Sequence, residues 1–129
     1  MKIYLAGPIN ACNDNQAHGW RDVVRADPIA GLCEIVDPMA RDYRGIEDAN
    51  VEAIVAGDKA DINACDVVLA NCWQPSYGTA MEIIYAHERN KIVVIVSDSR
   101  SPWLLAHSNL VTSSLESALQ YIHMWGMVA

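Results

Sequence analysis

Residues 67–96 read VVLANCWQPSYGTAMEIIYAHERNKIVVIV, and this stretch decides the fold. Its two ends, residues 67–70 and 92–96, are continuous runs of mostly Val and Ile, which is the pattern of strands covered on both faces. Residues 79–90 between them predict a helix with one face directed to the core. That face carries Ala80, Ile83, Ile84 and His87. A strand, a helix and a strand in this order predict parallel strands joined by a right-handed crossover.

The same alternation continues on both sides of this unit. Further strands are predicted at residues 3–6 and 33–36, with an edge strand near residues 110–112. Helices are predicted at residues 15–26, 46–56, 60–64 and 114–125, with a short helix after the loop SDSRSP. The sequence therefore predicts an α/β fold with three layers: a doubly wound, flavodoxin- or Rossmann-like, mainly parallel sheet of about five strands with helices on both faces. We expect residues 1–129 to form a single domain.

Composition narrows the classes of function. Of the 129 residues 52% are hydrophobic, and no apolar run reaches the roughly 18 residues of a membrane span. The formal net charge of −7 argues against a nucleic-acid polymer as partner, because binding to a phosphate backbone needs a basic face. The cysteines form no C-x-x-C pair and the histidines show no paired ligand spacing, so no metal site is predicted. We expect a soluble, cytoplasmic protein.

Ligands of open parallel sheets bind beyond the carboxyl ends of the strands, which makes the loops there the first candidates. They are residues 7–10, 37–39, 71–78 and 97–102. The first loop, GPIN, lacks the G-x-G-x-x-G pattern of dinucleotide sites, and Pro8 removes a backbone donor. Gly7 either lets a ligand approach the backbone or simply forms a turn, and the sequence leaves both alternatives open.

Glu82 has two alternative roles in the helix that follows the third of these loops. Thr79, with Glu82 three positions later, makes a capping box, in which each side chain pairs with a free backbone N–H at a helix start. The same position, in the first turn of the predicted helix, brings Glu82 near the crevice and favours chemistry. The helix N-terminus is expected to keep the carboxylate ionised, so the two roles are partly compatible.

A second carboxylate is available in GDKADINACD, before the third strand. Asp58 and Asp61 each lie near a predicted helix start, where capping explains either of them, and the spacing does not say which one faces the crevice. Glu82 with one of the two would form the pair of carboxylates that a retaining cleavage of a glycosidic bond requires.

Other side chains near the crevice also keep two interpretations. The segment ARDYRG can hold an anion or stack on a ring, and a solvated charged loop is the alternative. Its side chains are Arg41, Tyr43 and Arg44. Trp73 is either a wall of a substrate pocket or ordinary packing. The pair Trp20-Arg21 is more typical of a core aromatic next to a surface charge.

Three segments in this order resemble the nucleoside 2-deoxyribosyltransferase family, together with the related 2'-deoxynucleoside 5'-phosphate N-hydrolases. They are MKIYLAGPI, GDKADINACDVVLAN and QPSYGTAMEIIYAHERNKIVVIV, with weaker similarity through SPWLLAHSN. The resemblance implies cleavage of the bond between a base and deoxyribose, with no metal and no organic cofactor. It also implies a homodimer or larger homo-oligomer in which a neighbouring subunit completes each active site.

The resemblance further implies roles for individual residues. Glu82 matches the nucleophilic glutamate of the family, Asp58 its aspartate near the base, and Tyr4 the tyrosine that orients the nucleophile. The substrate-binding residues expected from the loops are Gly7, Pro8, Ile9, Asn71, Trp73, Ser76 and Gly78, with Arg41, Tyr43 and Arg44. His107 and Asn109, in SPWLLAHSN, are expected to reach the site of the adjacent subunit.

Position 76 is where the chain departs from the transferases of this family. Those acting on unphosphorylated nucleosides carry an acidic residue six positions before the nucleophile, whereas the N-hydrolases have a serine that binds the 5'-phosphate. Ser76 therefore favours deoxynucleoside 5'-monophosphates, with Arg41 or Arg44 as countercharge, since a hydroxyl donates to a phosphate and a carboxylate repels it. The overall pattern favours transfer of deoxyribose between bases. Hydrolysis of the monophosphates to free base and deoxyribose 5-phosphate is the alternative, and a non-catalytic nucleotide sensor is an alternative of another class.

Overall fold

A computed structural model of the chain describes residues 1–128, with side chains for residues 1–126. The strands are β1 (Lys2–Ala6), β2 (Glu34–Val36), β3 (Val67–Asn71), β4 (Ile92–Val96) and β5 (Leu110–Thr112). The helices are α1 (Asp14–Ala26), α2 (Val51–Ala64), α3 (Tyr77–Glu88), α4 (Pro102–Ala106) and α5 (Leu115–Val128). Among the described residues, no helix is long and apolar enough to cross a membrane.

The five strands form one parallel sheet in the order β2-β1-β3-β4-β5. Alternate residues of each strand face opposite sides, so Ile3 and Leu5 enter one core while Tyr4 and Ala6 enter the other. Helices α1 and α5 cover the first core, and α2 and α3 cover the second. The predicted doubly wound α/β fold is confirmed. Its order reverses between β1 and β3, which places the ligand crevice between the loops that follow these two strands.

The predicted break between helices at residues 46–56 and 60–64 is wrong. The second half of this region belongs to one helix, α2, which begins at Val51 and includes Gly57 in its interior. Glycine costs about 0.5–1 kcal/mol relative to alanine in such a position. A Cβ at Gly57 would lie 3.0 Å from Nε of Arg41, so the packing of that arginine accounts for the glycine. Asp58 and Asp61 consequently lie inside the helix, one turn apart, and not at a helix start.

Candidate active site

Helix α3 begins two residues earlier than the sequence predicts, and this changes the position of Glu82. Ser76 is the N-cap, and its Oγ accepts hydrogen bonds from Thr79 N at 3.3 Å and from Thr79 Oγ1 at 3.1 Å. The capping box between Thr79 and Glu82 is therefore wrong. Glu82 is the sixth residue of the helix, in its second turn, so its carboxyl does not cap the backbone.

The Glu82 carboxyl pairs with the first strand instead. Tyr4, in the middle of β1, is fully buried, and its hydroxyl donates a hydrogen bond to Oε2 of Glu82. Burial raises the pKa of Tyr4 above its usual range, and the negative charges of Glu82 and Asp58 raise it further. Tyr4 consequently remains a hydrogen-bond donor to Glu82 at all ordinary pH values.

The carboxyl of Glu82 is held where its ionised form is costly. Burial raises its pKa to about 8, and the charge of Asp58 acts in the same direction. The hydrogen bond from Tyr4 and the charge of Arg21 lower the pKa but do not offset the burial. The helix dipole, which was expected to keep Glu82 ionised, acts weakly on it, because Glu82 lies in the second turn of α3 and the influence of the dipole is confined largely to the first turn.

The two aspartates of α2 share one arginine. Nη2 of Arg41 lies 2.7 Å from Oδ2 of Asp61 and 3.4 Å from Oδ1 of Asp58. Burial raises the pKa of Asp58, although the adjacent Arg41 opposes this shift. Of the two, Asp58 is the aspartate whose charge acts on Glu82. The structure thus brings Tyr4, Glu82 and Asp58 into one cluster between β1, α2 and α3.

The arginines expected as phosphate countercharges are already paired. Arg41 has the two aspartates of α2. Arg44 lies 2.7 Å from both Asp42 and Asp14, and it also donates to the carbonyl of Cys12 at 3.1 Å. Tyr43 lies between the two arginines in sequence and is half-buried. Neither guanidinium is directed to a common anion site with Ser76 in this chain.

Packing inside the protein explains the glycine of the first loop, Gly7. Gly7 and Pro8 are buried, and Ile9 is half-buried. A Cβ at Gly7 would lie 2.8 Å from Cζ2 of Trp20, so the indole ring occupies the space that a side chain would need. The indole Nε1 of Trp20 is itself buried without a hydrogen-bond partner.

A cleft of about 910 Å³ opens beside the first turn of α3. Three of the expected substrate-binding residues line it: Asn71, Trp73 and Ser76. Among the described residues, Asp98 is the one carboxylate that lines it, and no Lys, Arg or His does so. Gly78 lies in the exposed first turn of α3, where a Cβ would meet nothing within 4 Å. Tyr4, Asp58 and Glu82 are not among the residues that line this cleft, which reaches the helix that carries Glu82 at Thr79 and Ile83.

The structure does not bring His107 and Asn109 to the carboxylate cluster of the same chain. The ring of His107 stacks on Trp103, which lines the cleft, and contacts His87 in the last turn of α3. Asn109 accepts a hydrogen bond from Val93 N at 2.9 Å and thereby extends the pairing between β4 and β5.

Sequence reasoning missed Arg21. The expectation of a surface charge is wrong, because Arg21 is fully buried and lies 3.4 Å from Oδ1 of Asp37. A signal was present in the sequence: Ala17, Arg21 and Val24 are spaced at i, i+4 and i+7 and form the buried stripe of α1. Within the part of the chain whose side chains are described, no group of three or more His, Cys, Asp or Glu is placed to hold a metal ion.

These features define a doubly wound α/β protein with a tyrosine-bound glutamate and a second carboxylate beside the switch point of its sheet. The sequence profile of the family described as nucleoside 2-deoxyribosyltransferase matches residues 3–119. The chain therefore belongs to the nucleoside 2-deoxyribosyltransferase family. A search of curated proteins gave no significant sequence match.

Solved structures share the fold at low sequence identity. A conserved protein from Enterococcus faecalis V583 is similar with a TM-score of 0.74 and 21% identity, over 95% of this chain and 97% of the other. A 2-desoxiribosyltransferase from Leishmania mexicana has a TM-score of 0.71 and 21% identity, over 94% and 95% of the two chains. The CMP N-glycosidase of Clostridium botulinum has a TM-score of 0.62 and 16% identity, over 97% and 99%. At 16–21% identity, these neighbours show that the chain shares their fold.

Proposed function

We propose that the protein cleaves the N-glycosidic bond of 2'-deoxynucleosides or their 5'-monophosphates and transfers the deoxyribose to another nucleobase. The observation that carries this proposal is the hydrogen bond from the buried Tyr4 hydroxyl to Glu82, in the cluster that contains Asp58. Membership of the family supports the reaction class. Salvage of deoxynucleosides in the cytoplasm is the setting that such a reaction fits.

In the proposed mechanism, one oxygen of the Glu82 carboxylate attacks C1' of the sugar while the bond from C1' to the base nitrogen breaks. Because the sugar lacks a 2'-hydroxyl, C1' tolerates oxocarbenium character, and a deoxyribosyl ester of Glu82 forms. The electron pair of the broken bond leaves with the base, which takes a proton from Asp58 directly or through water. The nitrogen of a second base then attacks C1', the bond from C1' to the Glu82 oxygen breaks, and the proton of that nitrogen passes to Asp58 directly or through water. None of these steps requires a metal or an organic cofactor.

The environment of each group suits its proposed role. The Tyr4 hydroxyl holds Oε2 of Glu82, which leaves the other oxygen available for attack. Burial raises the pKa of Asp58 and so favours the protonated form that a proton donor needs. A carboxylate in apolar surroundings also gains more from the positive charge that develops at C1' than a solvated one would. The cost is that Glu82 must lose its proton before it can attack.

The first test is a chromatographic product assay with purified protein and a deoxynucleoside, with and without a second free base. We expect a new nucleoside only when the second base is present. The Glu82→Gln variant should lose product formation by more than about a hundredfold while it still binds the deoxynucleoside. Glu88→Gln, at the exposed end of the same helix, is the matched control and should keep full activity. Brief incubation of wild type with substrate alone should add the mass of one deoxyribosyl group to a peptide that contains Glu82.

Full activity of the Glu82→Gln variant would remove Glu82 from the mechanism. If the wild-type protein bound deoxynucleotides but turned over no deoxynucleoside or monophosphate, the enzyme proposal would fail and the nucleotide sensor would take its place.

Hydrolysis of 5'-monophosphates is the second candidate, and Ser76 is the observation that favours it. Ser76 Oγ accepts two hydrogen bonds from Thr79, so its own hydroxyl proton is free to point into the cleft. A 5'-hydroxyl or a phosphate oxygen could accept it. In the part of the chain whose side chains are described, no basic residue lines this cleft, which argues for the neutral 5'-hydroxyl.

The Ser76→Asp variant separates the two substrates. Aspartate is as good an N-cap as serine, so α3 should remain intact. If a phosphate binds at Ser76, the new carboxylate should abolish release of free base from monophosphates and spare the deoxynucleosides. If deoxynucleosides are the substrates, transfer should survive and monophosphates should be poor substrates for both proteins. Free base released by wild type from monophosphates, without any acceptor, would establish the hydrolase.

We also propose a homodimer or larger homo-oligomer. The edge of the cleft exposes three large apolar side chains, Tyr77 (91% exposed), Met81 (70%) and Trp103 (70%). A second copy that covered them would remove this surface from water and could bring its own residues to the site.

A further inference from the structure

The first strand extends beyond its neighbour at the point where the crevice opens. The pairing between β1 and β2 ends at Tyr4 and Val36. Residues of β1 with odd numbers direct their carbonyls towards β2, as the hydrogen bond from Glu34 N to the carbonyl of Met1 indicates. The carbonyl of Leu5 would next pair with residue 38, but Pro38 has no N–H and starts a 3₁₀ turn. The strand end after Tyr4 therefore lacks donors on this side.

Arg21 supplies the missing donors from α1. Its Nη2 lies 3.2 Å from the carbonyl oxygen of Leu5 and 3.3 Å from that of Gly7, and Nε is 3.4 Å from the former. Nη1 donates to the carbonyl of Ala17 at 2.6 Å. A planar guanidinium with five N–H groups can make these bonds at once, which a lysine ammonium cannot do in the same geometry.

The same side chain is a permanent positive charge in the protein interior. Arg21 is fully buried and Asp37, its ion-pair partner, is 8% exposed. Asp37 also pairs with Arg25 and accepts a hydrogen bond from Met39 N, so its charge is shared among three donors. A buried charge is costly unless it is paired, and an apolar residue in this place would leave the carbonyls of Leu5 and Gly7 without these donors. Holding the end of the strand therefore accounts for a charge in the interior.

We propose that Arg21 is the positioning residue of the catalytic pair, holding the end of the strand that carries Tyr4 and providing the fixed positive charge near Glu82. This inference rests on the proposed function, since the pair it positions is the proposed nucleophile and its hydrogen-bond donor.

The charged groups around Glu82 allow the effect of Arg21 on the pKa of Glu82 to be distinguished from a purely structural effect. From β1, Tyr4 donates a hydrogen bond, and from α2 the charge of Asp58 opposes ionisation. Arg41 lies beyond Asp58 and is neutralised by the two aspartates of α2. Arg21 is thus the cation whose charge lowers the pKa of Glu82. Its loss should make Glu82 harder to ionise, whereas loss of a merely structural side chain should leave the titration of Glu82 unchanged.

The test uses Arg21→Met, Arg21→Lys and the matched control Arg25→Met, which removes an arginine from Asp37 without touching β1. The Glu82 carboxyl is titrated directly by NMR with ¹³C-labelled glutamate side chains, its signal identified by its absence in Glu82→Gln. The pH profile of kcat/KM is measured in parallel. The double variant Arg21→Met/Asp37→Asn removes both charges together and replaces the single variant if that one does not fold.

In Arg21→Met, or in the double variant, we expect the midpoint of the Glu82 titration to rise by at least roughly half a pH unit, and the acid limb of kcat/KM to move with it. Arg21→Lys should keep the midpoint near the wild-type value and lower kcat by about tenfold or more, because the strand end is held less firmly. Arg25→Met should change neither. An unchanged midpoint in Arg21→Met, or an equal shift in Arg25→Met, would overturn the inference. The NMR titration needs no turnover, so failure of the proposed function would leave this result readable.

Discussion

Glu82 is a half-buried residue whose carboxyl has one hydroxyl donor, Tyr4, and the charge of Arg21 to compensate its lost hydration. Such a group costs stability when it ionises, and that cost falls on the residue proposed to act as nucleophile. Natural proteins often hold destabilised groups at functional sites, because the chemistry needs the strained form. Two variants measure this cost: one removes the charge of Glu82 and reports on stability, and the other removes its hydrogen-bond donor and reports on activity.

The Glu82→Gln variant should be more stable than wild type at alkaline pH. The folded pKa of about 8 lies above the ordinary value of 4.5, so the unfolded chain releases this proton first as the pH rises. The contribution of neutral Glu82 is fully present below about pH 4.5 and is lost as the pH rises through about 8. We expect Glu82→Gln to exceed wild type by about 2–4 kcal/mol at pH 9, with a small difference at pH 4.5. Urea unfolding at both pH values measures this, and parallel behaviour of the two proteins would contradict it.

Tyr4→Phe should move the acid limb of kcat/KM to higher pH. The hydroxyl donates to the ionised form of Glu82, so its removal raises the pKa of that carboxyl above about 8. A hydrogen bond to a charged group is worth about 1.5–3 kcal/mol, so kcat/KM at pH 7 should fall by roughly tenfold or more. Tyr85→Phe, which removes the hydroxyl that accepts from Asn63, is the matched control. A loss of activity with an unmoved limb would assign Tyr4 a different role.

At the scale of an element, α2 positions the second carboxylate by accepting a glycine in its interior. The absent Cβ of Gly57 leaves room for the guanidinium of Arg41, which then reaches Asp58 and Asp61. The helix therefore gives up some intrinsic stability so that a loop arginine can hold two of its aspartates.

The Gly57→Ala variant tests whether the glycine lowers the stability of α2 in order to make room for Arg41. An alanine in a helix interior normally stabilises by about 0.5–1 kcal/mol, but here the new Cβ would displace Arg41 from the aspartates. We expect no gain in the free energy of unfolding, and a further rise in the pKa of Asp58, which NMR titration of ¹³C-labelled aspartate side chains measures. Gly19→Ala, in the middle of α1, is the control, since its Cβ would meet only the side chain of Asn15. It should give the full gain in stability and unchanged kinetics. An equal gain in both variants would show that Arg41 does not depend on Gly57.

At the scale of the whole molecule, the sequence predicted what depends on local pattern. The apolar runs at β3 and β4 and the edge strand Leu110–Thr112 were recognisable because a parallel sheet demands them. The start of α3 was misplaced because Ser76 and Thr79 are both acceptable caps, and the choice between them is tertiary. The roles given to Tyr4, Asp58 and Glu82 remain predictions, although the structure collects the three.

The sequence could not predict which charged residues, distant along the chain, pair with one another in the fold. Arg21, Arg41 and Arg44 all looked like solvated or ligand-binding cations, and all three are instead held by aspartates or backbone carbonyls. Such pairing depends on which helix face meets which strand end, and no local spacing records it. The consequence is a chain with net charge −7 in which these three cations are already paired and in which, among the described residues, no cation lines the cleft.

This distribution of charge predicts how the molecule associates. Two copies of charge −7 repel each other, so a stable dimer needs a face with few charges, and the edge of the cleft with Tyr77, Met81 and Trp103 is such a face. Sedimentation at about 10 μM should give a mass twice 14.2 kDa for wild type and 14.2 kDa for Trp103→Lys. Val23→Lys, on the exposed side of α1, should not change the mass. Added salt should strengthen the dimer, because it screens the repulsion and leaves the apolar contact intact. Weakening by salt, or a dimer that survives in Trp103→Lys, would place the contact on a charged surface elsewhere.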